Sequence, residues 1–302
     1  MFFDRIANEL FAGGAPANVA IALRRLAVPS AFAGCIGNDA KGDELMRVLA
    51  GEGVRSYAVQ RTNAAPTRTV DVRHDASGER AFIGFGGAQP GEFADALFAR
   101  EALPHDLLGG IAFVVVGSLE LAYATSAATI ASIVRDAAAL GIAVVFDVNR
   151  RPMFWPDADR PYEHTRTRAL LDFATFVKAG DDEARWLFGT DRPADIVAAH
   201  PHMRGAVITA GSGPIAYQIE GESGQVVPPS VAVIDTTGAG DAFTAGLIAG
   251  LFARLAGTNG GDVHEILRFA AAVGALATTR RGAISALPTR QEVDRFLTAG
   301  TR

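Results

Sequence analysis

The run with the clearest chemical potential is residues 236–241, Thr-Thr-Gly-Ala-Gly-Asp, which follows a predicted strand and opens a predicted helix. Gly238 and Gly240 permit backbone angles at which successive N–H groups converge on an anion. The helix directs the positive end of its dipole at the same point. Such a cradle suits a phosphoryl group in transfer, because that group spreads negative charge over three oxygens. Asp241 stands beside it, where a carboxylate can accept the proton of an attacking hydroxyl.

Other polar residues suit a sugar or a phosphate. Asn18 follows a Gly-Gly-Ala-Pro-Ala segment, and its amide both donates and accepts hydrogen bonds, as a polyol requires. Asn149 and Arg151 follow a predicted strand at its carboxyl end, where open α/β sheets bind ligands, and Arg can bridge phosphate oxygens. Plainer interpretations remain open: a tight turn with a helix-start acid at 238–241, a buried Asn, and a structural ion pair of Arg151.

The elements that must position these residues alternate between strands and helices. Strands are expected at 31–36, 111–117, 143–147, 175–178, 206–209 and within 215–227, and helices at 15–28, 40–51, 122–140, 163–172, 182–189, 240–256, 262–280 and 290–299. Residues 69–73 and 80–85 predict a hairpin around a turn at 75–78. This rhythm predicts one α/β domain over residues 1–302, with a mostly parallel sheet and a small β lid at about residues 54–90.

The composition narrows the class of protein. Of the 302 residues, 49% are hydrophobic and 20% are charged, which is typical of a globular protein with a substantial core. The net charge of −5 and the lack of a basic block argue against a nucleic-acid partner. No apolar stretch is long enough for a membrane span, and the N-terminus is unlike a signal peptide. Because the single Cys35 fits a reducing compartment, a cytoplasmic protein is expected.

Residues 235–241, Asp-Thr-Thr-Gly-Ala-Gly-Asp, closely resemble the C-terminal signature of the ribokinase family of carbohydrate kinases. Three further stretches resemble the fructokinase branch of that family, in the expected order: residues 13–20, residues 147–155, and residues 269–276 with 281–283. The resemblance spans roughly residues 12–298. It implies a three-layer ribokinase-like α/β fold and an ATP-dependent kinase that phosphorylates a sugar hydroxyl, with fructose as the expected sugar.

The resemblance also implies roles for individual residues. Asp241 would deprotonate the sugar hydroxyl, and Arg151 would act with it on the phosphate. The backbone of residues 237–240 would form the anion hole, with Gly238, Ala239 and Gly240 at its centre. Gly14, Asn18 and Asn149 would contact the sugar together with Asp241.

The nucleotide side is implied in the same way. Residues 209–214 resemble the family's strand turn beside ATP, and small side chains on a C-terminal helix would leave an apolar slot for adenine. Close helix packing explains those small residues equally well. The residues matching the nucleotide site are Thr209, Gly211, Thr237, Gly238, Gly240, Ala271 and Ala275.

Two acidic residues match metal positions of the family. Glu183 stands where a glutamate organises Mg²⁺ through water, and hard carboxylate oxygens suit that ion. An acidic helix start is the plainer interpretation of the same residue. Gly180 replaces the Asn usual in the family motif, which departs from the pattern. Asp235 matches a group that binds a monovalent cation, K⁺, in some members.

The beginning of the chain departs from the family. Its first central strand and the sugar-binding Asp of that strand have no match in residues 1–12, and Asp4 lacks the neighbouring glycine and apolar run. We expect a start codon placed too far downstream, or a truncation. The alternative substrate to fructose is 2-keto-3-deoxygluconate or another sugar. The alternative to an active kinase is a catalytically impaired sugar-binding or regulatory protein, because the N-terminal strand is missing from the pattern. By analogy with the family, the lid would pair two copies into a homodimer.

Overall fold

The computed structural model describes residues 1–6, 9–74, 80–257 and 261–299. The chain forms two compact units. The first joins Met1–Asp95 to Pro228–Arg302, and the second is Ala96–Val227. The predicted turn at 75–78 lies outside the described residues.

The strands are β1 (Phe2–Ile6), β2 (Glu9–Gly13), β3 (Ala31–Gly37), β4 (Arg55–Thr62), β5 (Thr69–His74), β6 (Arg80–Gly84), β7 (Phe113–Val116), β8 (Ala143–Asp147), β9 (Phe176–Gly180), β10 (Gly205–Thr209), β11 (Ile215–Ile219) and β12 (Glu222–Val226). The α-helices are α1 (Ala15–Arg25), α2 (Ala40–Gly51), α3 (Ala124–Ala139), α4 (Glu163–Ala169), α5 (Asp181–Phe188), α6 (Pro193–Ala199), α7 (Ala239–Leu255), α8 (Val263–Ala277) and α9 (Arg290–Ala299). None of these helices is long and apolar enough to cross a membrane.

A six-stranded sheet in the order β12-β11-β10-β9-β8-β7 forms the second unit. Strands β7 to β10 are parallel, whereas β11 and β12 extend the sheet in antiparallel fashion. Every residue of β8 is buried, which explains its continuous apolar run before Asp147. Because parallel strands end at the same edge, the residues after β8, β9 and β10 share one edge of this sheet.

The first unit contains a four-stranded sheet, in the order β2-β1-β5-β6, and a parallel pair of β3 and β4. Helix α7 packs against α1 and α8. Small residues allow the close approach of α7 and α8, since a Cβ on Gly246 would stand 2.7 Å from the Cα of Ala270. This packing carries α7, and with it Asp241, against the start of α1.

Most predicted elements are present, and the differences have local causes. Helix α1 ends at Arg25 instead of residue 28, because Ala27 takes a left-handed φ of 64° and the Val28 N–H turns back to the Leu23 carbonyl. Helix α6, seven residues long, is too short to show helical periodicity in the sequence. Strand β4 pairs in parallel with β3, whereas β5 and β6 form the predicted antiparallel ribbon.

Residues 2–6 and 9–13 form two strands that the sequence does not predict. β1 and β2 pair with each other in antiparallel fashion, and β1 also pairs in parallel with β5. They belong to the four-stranded sheet and not to the six-stranded one. The expectation that residues 1–12 lack a central strand of the family therefore stays a prediction, although β1 and most of β2 lie within this range.

Helix α9 begins with a capping box that gives the protein an acid-sensitive element. Glu292 accepts hydrogen bonds from the Thr289 backbone N–H and hydroxyl, at 2.7 and 2.9 Å, and pairs with Arg280. The Thr289 N–H is the main cause that lowers the pKa of Glu292 from its ordinary 4.5 to about 2.

This depressed pKa makes a testable prediction. A carboxylate with a lowered folded-state pKa stabilises the fold above its ordinary pKa, and that contribution is lost as the pH falls toward 2. Glu292→Gln should therefore be less stable than the parent protein at pH 7, and the difference should shrink between pH 4.5 and 2. Urea unfolding at pH 7, 4.5 and 3 measures it. A gap that stays constant with pH would contradict the prediction.

Candidate active site

The predicted anion cradle is built around one left-handed glycine. Gly238 has φ 78° and is the N-cap of α7, whose first regular bond runs from the Ala242 N–H to the Gly238 carbonyl. The N–H groups of the first turn therefore point into the space before the helix. The two glycines differ in backbone conformation. Because α7 begins at Ala239, Gly240 lies inside the helix with ordinary helical angles, and only Gly238 of the two adopts a left-handed φ that favours glycine.

A buried carboxylate holds the cradle in place. Asp235 accepts hydrogen bonds from the N–H of Thr237 at 2.9 Å and of Gly282 at 2.8 Å. It thereby fixes the loop before α7 against the loop after α8. A Cβ on Gly238 would stand 3.3 Å from the Cα of Ala283, so the two loops are in close contact.

The predicted base and one predicted sugar contact lie together in the first unit. Asn18 of α1 donates its Nδ2 to Asp241 Oδ2 at 2.7 Å, across a sequence separation of 223 residues. Asn18 is 3% exposed, and its Oδ1 has no hydrogen-bond partner among the described residues. Because a carboxylate only accepts, the amide nitrogen of Asn18 must face Asp241. Its oxygen is then left for a donor, such as a hydroxyl group.

The turn before α1 is tightly enclosed. Gly14 has φ 106°, and a Cβ there would stand 3.0 Å from the Cα of Met1. Next to it, a Cβ on Gly13 would stand 3.2 Å from Oδ2 of Asp4, a carboxylate only 3% exposed. No role is predicted for Asp4 from the sequence. Asp4 lies on β1 between Phe11 of β2 and Val70 of β5, and the distant pairing with β5 has no sequence signal.

The C-terminal helix carries the residues predicted to line an adenine slot. Ala271 of α8 is 3% exposed, whereas Ala275, one turn further on, is half-buried. The burial of Ala271 fits the close packing of α7 and α8. Thr237 is buried as well, and its Oγ1 has no hydrogen-bond partner among the residues that the structure describes.

The second unit places its predicted residues along the carboxyl edge of the sheet. Asn149 follows β8 with φ 39°, a left-handed conformation that is uncommon for a residue other than glycine. The guanidinium of Arg151 donates to the Arg150 carbonyl at 2.8 Å. Thr209 ends β10 opposite Gly180 of β9, and Gly211 turns with φ 58°. A buried pair that the sequence analysis does not assign, Lys178 with Asp147 at 3.2 Å, joins β9 to β8.

Both carboxylate oxygens of Glu183 bind backbone N–H groups. Its Oε2 accepts the Gly180 N–H at 2.8 Å, and its Oε1 accepts the Arg150 N–H at 2.7 Å. Within the described parts of the chain, no group of three or more His, Cys, Asp or Glu side chains is arranged to hold a metal ion.

Comparisons with known proteins agree on one family. The model of the pfkB family carbohydrate kinases matches residues 7–290. The probable fructokinase-4 of Arabidopsis thaliana is 32% identical over 289 residues, which cover 94% of this chain and 87% of the relative.

Solved structures give the same result. The crystal structure of the fructokinase of Xylella fastidiosa with bound ATP superposes with a TM-score of 0.88 at 32% identity, covering 100% of this chain and 97% of that one. A double mutant of the fructokinase of Vibrio cholerae O395, bound to fructose, ADP and a potassium ion, gives a TM-score of 0.85 at 28% identity, with coverages of 98% and 95%. The expected ribokinase-like α/β fold is confirmed.

Proposed function

Since this chain belongs to the pfkB family of carbohydrate kinases, we propose that it transfers the γ-phosphoryl group of ATP to a hydroxyl group of fructose. The relatives named fructokinase, and the neighbour bound to fructose and ADP, support this sugar. The observation that carries the proposal in this chain is the Asn18–Asp241 hydrogen bond, which lies at the start of the helix capped by Gly238.

The residues of the first unit can perform the proton and charge steps of this reaction. The sugar hydroxyl gives its proton to the carboxylate of Asp241, and its oxygen forms a bond to the γ-phosphorus as the bond to the departing ADP breaks. The first-turn N–H groups of α7 stabilise the charge on the transferring group. Asn18 Oδ1 accepts a hydrogen bond from a sugar hydroxyl while its Nδ2 fixes the base.

The chain offers oxygen groups for both kinds of cation expected in the reaction. Each carboxylate oxygen of Glu183 accepts one backbone N–H and keeps a free lone pair, so Glu183 would help to hold Mg²⁺ through water. For a monovalent cation such as K⁺, the buried Thr237 Oγ1 offers an oxygen without a hydrogen-bond partner among the described residues, beside the Asp235 carboxylate. Thr237 and Asp235 would hold that ion, which would offset negative charge near the cradle.

The direct test is sugar-dependent ADP release with Mg²⁺ and ATP. Fructose, glucose, ribose and 2-keto-3-deoxygluconate are compared at equal concentration, and the phosphorylated product is identified by mass spectrometry. We expect the highest kcat/KM for fructose. Preference for 2-keto-3-deoxygluconate would replace the proposed sugar within the same reaction. Sugar binding without ADP release from any sugar would favour the non-catalytic sugar-binding protein.

Asn18→Asp tests whether this residue touches both the base and the sugar. A second carboxylate beside Asp241 disfavours the ionised form of the base, so the acid limb of the kcat profile should move up by about one pH unit. The fructose KM should rise as well, because the new carboxylate is repelled by Asp241 instead of donating a hydrogen bond to it, and so is no longer held beside the sugar hydroxyl. Initial rates between pH 5 and 9 measure both effects. An unchanged pH profile would contradict the role of Asn18 beside the base.

A further inference from the structure

The carboxylate of Glu183 joins two separate segments of the second unit. Through Oε2 it caps its own helix, α5, at the Gly180 N–H, and through Oε1 it reaches the Arg150 N–H, 33 residues earlier in the chain. Both bonds are charge-assisted, and such bonds are about twice as strong as neutral ones. Each oxygen of this side chain is therefore already bound to the backbone.

The residue that Glu183 holds by its N–H is held by its side chain too. Arg150 pairs with both oxygens of Glu163 at 2.9 and 2.8 Å, and its guanidinium lies 4.3 Å from the ring centroid of Trp186. Glu163 is 4% exposed, so this pair is anchored inside the unit. The backbone at Arg150 has little freedom to move.

Asn149, directly before Arg150, takes a left-handed φ of 39°, a conformation that asparagine adopts more readily than most residues other than glycine. The Arg150 N–H belongs to the peptide unit that follows Asn149, so the bond to Glu183 fixes the direction in which the chain leaves Asn149. Without it, the Asn149 backbone could relax to an ordinary conformation and move its amide side chain.

We propose that Glu183 is a positioning residue that fixes Asn149 for sugar binding through the Arg150 N–H. This inference rests on the proposed function and on the prediction from the sequence that Asn149 contacts the sugar. It predicts that Glu183 acts on the affinity for the sugar even when no metal or nucleotide is present.

Glu183→Gln is the informative variant. It keeps the shape of the side chain but replaces one oxygen by an NH₂ group, which faces a backbone N–H and cannot accept it. The matched control is Asp182→Asn, which removes the same charge from the same helical turn at a side chain that is 94% exposed. Arg150→Lys is a second variant, because it loses the two-bond pairing with Glu163 and leaves Glu183 intact.

The decisive measurement is fructose affinity by calorimetry, without nucleotide and without Mg²⁺. For Glu183→Gln we expect the Kd to rise by about tenfold, as for the loss of a hydrogen bond to a charged group. Arg150→Lys should change it in the same direction, and Asp182→Asn should leave it unchanged. An unchanged metal-free Kd in Glu183→Gln would overturn the proposal, whatever the Mg²⁺ requirement of that variant.

Hydrogen exchange of the ligand-free protein separates this inference from the proposed function. The amide of Arg150 should exchange faster in Glu183→Gln than in the parent protein or in Asp182→Asn. If the parent protein binds no fructose, the proposed substrate is wrong, and the exchange rate still reports whether Glu183 fixes the loop. An equally protected Arg150 amide in Glu183→Gln would overturn the positioning role, whatever the sugar. Thermal melts confirm that all variants are folded.

Discussion

Asp241→Asn should lower kcat for fructose phosphorylation by about 10²–10⁴-fold, because the amide has the shape of the carboxylate but cannot take the proton of the sugar hydroxyl. The KM values for fructose and ATP should change little, since the cradle N–H groups belong to the backbone. Steady-state kinetics with saturating Mg²⁺·ATP measure the effect.

The control for Asp241→Asn is the same substitution at another carboxylate of the first unit. Asp294→Asn is suitable, because Asp294 lies on α9, is about half exposed and pairs with Arg290 of the same helix. It should retain full activity. If Asp241→Asn kept kcat within a few-fold of the parent value, another group would have to be the base.

Gly238→Val should lower kcat by about 10²–10³-fold, comparable to the loss of an oxyanion-hole donor. The side chain would stand against Ala283, with its Cβ 3.3 Å from that residue's Cα, and valine strongly disfavours the φ of 78°. The loop would shift, and the N–H groups at the start of α7 would no longer converge. The KM for ATP should rise together with the fall in kcat.

Backbone strain alone must be separated from damage to the cradle. Gly221→Val provides the comparison, because Gly221 has φ 87° in the turn between β11 and β12, with nothing within 4 Å of its Cβ position. It should lose stability but keep its kinetic constants. Equal losses of activity in both variants, at equal folded fractions by circular dichroism, would argue against a special role for Gly238.

The sequence predicts those helices and strands in which apolar residues recur at a regular spacing. Helix α2 spans the predicted residues 40–51, and β8 spans the predicted 143–147, because both carry a regular apolar pattern. β1 and β2 do not: among the described strands β2 pairs only with β1, and β1 is held in the sheet by β5, which lies more than sixty residues after it in the chain. Pairing over such distances leaves no local pattern.

In the candidate site, too, the sequence predicts features with a local pattern and misses those that depend on distant segments. The type and spacing of residues 238–241 predict an anion cradle with a nearby base, and the left-handed Gly238 at the start of α7 fits that prediction. The sequence does not indicate that Gly240 lies inside α7, since the start of a helix is decided by which carbonyls find partners and not by glycine content. One partner of Glu183, the Arg150 N–H, lies 33 residues earlier in the chain, so the acidic sequence neighbours of Glu183 could not indicate it.

The discontinuous first unit has a consequence for synthesis on the ribosome. The second unit is one continuous stretch, and it can fold as soon as it emerges, whereas the first unit waits for the segment from Pro228 onward. At about 5–20 residues per second, that wait lasts several seconds. Asp241 follows Asn18 by 223 residues, so no nascent chain contains the pair before residue 241 is added. Incomplete chains should therefore be unable to consume ATP, and strands β1 to β6 are the part that chaperones would have to protect.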